Sequence, residues 1–62
     1  MNIEMLKKEF EEILDFEKNA EIAYDEYIAQ VDDKEIKEQL ISIRDDETKY
    51  IKIARMLIEC LS

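Results

Sequence analysis

Sixty-two residues make at most one small domain, and a chain this short buries too little apolar surface to be comfortably stable without a metal, a disulfide or a partner. The chain has no glycine and no proline and is 42% charged, which removes the usual punctuation of β-turns and suits long solvated helices. Seventeen acids against nine bases leave a net charge of −8, a balance that repels nucleic acid and anionic membrane and favours a metal ion or a basic protein as partner.

The first predicted element is a helix over about residues 2–31, opened by Asn2 as N-cap. Ile3, Leu6, Phe10, Ile13, Glu17, Ala20, Tyr24, Tyr27 and Val31 follow one another by steps of three and four, the period of one helix face. Only Glu17 breaks the apolar rule. The break between elements falls at 32–33, where Asp32 followed three residues later by Glu35 has the form of a capping box. A second helix is expected over about residues 34–60, with the stripe Ile36, Leu40, Ile43, Glu47, Tyr50, Ala54, Leu57 and Leu61. It too carries a single acid, placed centrally. Pairs such as Glu4 with Lys8 and Asp45 with Lys49 read as solvated helix faces, with Glu21 and Asp25 as a clashing exception.

These elements predict an all-α chain in which residues 1–62 form one antiparallel helical hairpin. Asp32 lies fifteen residues after Glu17 and fifteen before Glu47, so a tight hairpin brings the two acids to the same height across the seam. Further apolar residues, Phe16, Ala23 and Ile28 on the first helix and Ile41, Ile51 and Ile58 on the second, widen each stripe beyond a two-helix contact. Two hairpins packed as a homodimer, alone or within a higher homo-oligomer, would close such stripes as a four-helix bundle, with four carboxylates in one layer.

Other classes are excluded or disfavoured. Cys60 is the only cysteine, so no intrachain disulfide or thiolate zinc site can form, and it reads as an end-of-helix residue in a reducing compartment. Met1 to Phe10 is interrupted by Glu4, Lys7, Lys8 and Glu9 and does not read as a secretion signal; no segment reaches the roughly 20 apolar residues of a membrane span. A soluble cytoplasmic protein is the expectation. Hydrolytic catalysis is disfavoured because the chain has no histidine and neither Ser42 nor Thr48 lies near an evident base.

Four carboxylates in one layer cannot all stay ionised without partners, because desolvation and mutual repulsion both oppose it. They must bind a cation, take up protons, or find hydrogen-bond donors. The known di-metal bundles use a Glu from one helix and Glu-x-x-His from the next; here Glu47 is in place and Tyr50 occupies the histidine position. Any metal would therefore be held by oxygen, which favours iron(III) or manganese over zinc or copper. Glu21 and Asp46 could add carboxylates but read more readily as surface residues, and Tyr24, Tyr27 and Tyr50 bring phenolic donors to the same stripe.

The segment from Phe16 to Leu57 resembles the ferritin-like superfamily, in particular the rubrerythrin branch and the encapsulated ferritins, whose short chains supply one hairpin and dimerise into a di-iron bundle. The resemblance is carried by Glu17 with Tyr24 seven residues on, by the turn from Asp32 to Ile36, and by Asp45-Asp46-Glu47-x-x-Tyr50. It implies Glu17 as a terminal or bridging ligand, Glu47 as a bridging ligand, and Tyr24, Tyr50, Glu21 and Asp46 as outer or substitute ligands of a di-metal site for iron or manganese. The implied activity is ferroxidase or iron handling. The alternative is a non-catalytic scaffold or interaction module, in which tyrosine donates to carboxylates at a degenerate metal site.

Overall fold

The structure, a computed structural model, describes residues 2–62, and its regular elements are two helices, α1 over Ile3–Gln30 and α2 over Lys34–Leu61. They fold back on each other as a hairpin 47 Å long and 14 Å across in both other directions. Each helix starts where the sequence offers an oxygen to its free amides. Asn2 Oδ1 accepts from the Met5 amide at 2.8 Å, and Asp33 Oδ1 accepts from the Ile36 amide at 2.9 Å. The second cap corrects the expected capping box: Asp33 does the work assigned to Asp32, one residue later.

Val31 ends α1 in extended backbone (φ −86°, ψ 129°) while its amide still donates to the Tyr27 carbonyl at 3.1 Å. Asp33 is extended as well (φ −68°, ψ 121°), and no described residue has positive φ. A three-residue link of this kind needs no left-handed position, which is why the chain can reverse without glycine.

The contact between the helices is narrower than the apolar stripes and displaced from them. Phe10, Leu14, Glu17, Glu21, Tyr24 and Ile28 on α1, with Val31 just beyond it, and Lys37, Leu40, Ile41, Arg44, Glu47, Ile51, Ala54, Ile58 and Leu61 on α2 are all buried or half-buried and mark the seam. Steps of three and four recur along both rows, the pattern of a two-helix seam. Several residues expected to form the seam lie beside it: Ile13, Tyr27, Ile36, Ile43, Tyr50 and Leu57 are all exposed. Conversely Ile28, Ile41, Ile51 and Ile58, read from the sequence as widening residues, carry the contact.

Only Ile51 and Ala54 are buried among the described residues, and neither completely. Fully burying an aliphatic side chain contributes about 1.5–3 kcal/mol, so a lone hairpin gains little from its core. The displaced residues explain where the rest of the apolar surface went. At 100° per residue, Ile13, Phe16, Ala20 and Tyr27 of α1 and Ile36, Ile43, Tyr50, Ile53 and Leu57 of α2 fall on one side of the seam, making an open apolar face. The opposite side of the hairpin carries Lys18, Asp25, Thr48, Lys52 and Arg55, with Ile22 exposed among them.

Candidate functional site

Glu17 and Glu47 sit halfway along their helices, which places them at the middle of the rod on the boundary between the seam and the open face. Their helical neighbours fix that position. Ile13 and Ala20 flank Glu17, and Ile43 and Tyr50 flank Glu47, each one turn away on the open side. Both glutamates are half-buried. Loss of solvent, and then the nearby charge of Glu47, raise the Glu17 carboxyl above its ordinary value. Glu17 Oε2 is shielded from water and has no hydrogen-bond partner, an arrangement a charged oxygen tolerates poorly.

The tyrosines do not satisfy it within the hairpin. Tyr24 is half-buried and stands edge-on to the exposed Tyr27, with ring centroids 6.0 Å apart and an interplanar angle of 86°. Tyr50 is 53% exposed on the open face, so it neither donates to Glu17 nor completes a ligand set inside one copy. Asp46, beside Glu47, is also exposed.

Glu21 departs from the surface role expected of it. It is half-buried and its Oε2 accepts from the Thr48 hydroxyl across the seam at 2.5 Å; that hydroxyl also lies 3.2 Å from the Arg44 carbonyl. Next to it, Arg44 Nη1 donates to Asp25 Oδ1 at 2.7 Å and Arg44 Nε to Asp45 Oδ1 at 3.1 Å. The expected clash of Glu21 with Asp25 is thus relieved by one donor from α2 for each acid. These bonds mark the polar edge, where Lys18, Glu21, Thr48, Lys52 and Arg55 line a cleft together with the buried Ile51. Arg44 and Thr48 were missed as cross-helix donors, though Arg44 stands three residues before Glu47, a seam step.

Among the described residues no three His, Cys, Asp or Glu side chains are placed to hold a metal ion. One hairpin offers a pair of carboxylates. The donor set is oxygen alone, and the buried, unpartnered Glu17 Oε2 is the acceptor a cation would use. The residues fit a di-metal centre only if the pair is doubled by a second copy on the open face. Cys60 is exposed near the end of α2. No described helix is long and apolar enough to cross a membrane. The chain matches no family model, no curated protein and no solved structure.

Proposed function

We propose that two copies pack open face to open face as a ferritin-like four-helix bundle, and that Glu17 and Glu47 of both form a four-carboxylate layer that binds iron or manganese. The observation that supports this reading is a water-shielded carboxylate oxygen without a partner, set beside a second acid at the rim of an uncovered apolar face. Doubling the pair at mid-height gives enough oxygen ligands for two hard cations, whose charge removes the cost of gathering the acids. Bound iron or manganese would supply redox chemistry of the ferroxidase type. The chain itself supplies the ligands, the apolar walls that keep water from them, and phenol groups nearby.

The second reading is a scaffold whose site no longer binds metal, and it draws on the tyrosine that stands three residues after Glu47 in a chain without histidine. Elemental analysis of protein prepared without chelators separates the two. The metal reading expects about two metal ions per dimer, lost in Glu47→Ala, and a rise in Tm on adding Mn(II) or Fe(II), because a ligand that binds only the folded state stabilises it. Metal-free protein with an unmoved Tm would establish the scaffold instead.

A further inference from the structure

The polar edge carries a run of cross-helix bonds that stops short. Arg44 Nη1 donates to Asp25 Oδ1 at 2.7 Å, and the Thr48 hydroxyl donates to Glu21 Oε2 at 2.5 Å. From the first bond to the second, α1 steps back by four residues and α2 advances by four, as an antiparallel register requires. In both rungs α1 supplies the acid and α2 the donor.

The next rung breaks this rule. The same register, carried three residues further toward the open end of the hairpin, sets Lys18 against Ile51, with Lys52 beside Ile51 and Arg55 one turn on. Both helices now present bases, and no acid takes the acceptor's place. Among the described residues the ion pairs are those of Arg44 with Asp25 and Asp45. Lys18, Lys52 and Arg55 therefore have no carboxylate partner, although the chain holds seventeen acids.

These three side chains converge. A helical side chain leans toward the N-terminus of its own helix. In an antiparallel pair Lys18 leans toward the level of Lys52 and Arg55, while those two lean toward the level of Lys18. With Glu21, Thr48 and Ile51 they line a cleft of about 460 Å³, within the range of small-molecule clefts. Ile51, buried, closes it from below; Lys18 is half-buried, and Lys52 and Arg55 are exposed.

Charge selects the ligand. The cleft holds three bases and one acid, Glu21, whose Oε2 already accepts from Thr48, so two positive charges are left in surplus. A carboxylate or a chloride neutralises only half of that. A phosphate group carries about −1.5 to −2 at pH 7 and offers three strong acceptor oxygens, one for each base. Arg55 can hold two of them with its planar fork, and the lysines act as point charges.

We propose that this cleft binds a phosphate dianion, held by Lys18 from α1 and by Lys52 and Arg55 from α2, so that the ligand supplies the acid missing from the third rung. Thr48 stays with Glu21 and takes no part. The cleft lies on the opposite side of the hairpin from the open face, and it needs neither the second copy nor the metal of the proposed function.

The test is an NMR titration of metal-free protein, chelator present, with inorganic phosphate at constant ionic strength. The amides of Lys18, Ile51, Lys52 and Arg55 shift and saturate with phosphate, and sodium chloride does not reproduce this. Lys18→Gln and Arg55→Gln each raise Kd about threefold, the scale of an exposed ion pair. Lys49→Gln, which removes the same charge outside the cleft, leaves Kd unchanged, and Glu21→Gln lowers it about twofold. Circular dichroism confirms that each variant stays helical. A small phosphate monoester titrated in parallel identifies the source: tighter binding than inorganic phosphate places an ester group on Ile51, and weaker binding makes the free ion the ligand. Shifts that do not saturate, an equal loss in Lys49→Gln, or acetate binding as tightly as phosphate overturns the proposal.

Discussion

The two sides of the hairpin treat their acids in opposite ways. On the polar edge, Glu21 and Asp25 each receive a hydrogen bond from the other helix, through Thr48 and Arg44. At the boundary of the open face, Glu17 Oε2 receives none, though it is shielded from water. The first pair lies at the solvent edge, Asp25 exposed and Glu21 half-buried, where such contacts contribute little and tolerate change. The second lies among isoleucines and tyrosines that are themselves uncovered. A surface network pairs its own acids, whereas the acid at the edge of the apolar face is left without a hydrogen-bond donor.

The largest effect that would break this contrast comes from charging the open face. Ile43→Asp adds an acid beside Glu47 where a second copy would close, and self-association should weaken by about 3 kcal/mol or more, as for an uncompensated charge at an interface. Thr48→Asp, on the polar edge, should leave association intact. If sedimentation shows equal behaviour for both variants, the faces are not different in kind.

A smaller effect sharpens the contrast at the acids themselves. Glu17→Leu replaces a half-buried carboxylate by an apolar side chain, and the metal-free protein should gain about 1 kcal/mol in chemical denaturation. The pH dependence has a definite sign. The folded Glu17 carboxyl titrates above its ordinary value, so the folded state holds this proton more tightly than the unfolded one. Stability from this group is fully present below the unfolded value of about 4.5 and is lost as pH rises through the folded value. Tm at acid pH should therefore rise relative to neutral pH at this locus, and that component should be absent in Glu17→Leu.

The link between the helices, common to both sides, gives an effect of similar size. Asp33→Ala removes the cap of α2 and should cost about 1 kcal/mol, against almost nothing for Asp32→Ala. Equal losses in thermal melts would mean that the two aspartates share the cap. Least is expected from the polar edge. Thr48→Ala deletes one exposed bond to Glu21 and should cost about 0.5 kcal/mol, and Glu21→Gln in its place should change Tm hardly at all.

Much of the architecture was legible because it depends on local rules. The absence of glycine and proline, the length of the 3-4 rhythm and the acid-rich break at 32–33 led directly to two helices and a reversal. The cap was misplaced by one residue because Asp32 and Asp33 are both competent oxygen acceptors, and only the path of the backbone selects between them. The facing of Glu17 and Glu47 was also accessible, since equal distance from the turn fixes equal height. Arg44 and Thr48 were not, because a long or small polar residue on a helix face carries no mark of which neighbour it will reach.

Periodicity alone determined that each helix has an apolar sector and that a glutamate interrupts it. It could not determine which residues within the sector face the other helix, since a sector wider than one contact admits several rotations about the helix axis, each burying apolar surface. Packing decided this by turning Ile28, Ile41, Ile51 and Ile58 inward and leaving Ile13, Ile43 and Tyr50 outside. The physical reason is geometric: two helices share a seam one heptad row wide, so a stripe wider than that leaves part of itself exposed in the hairpin.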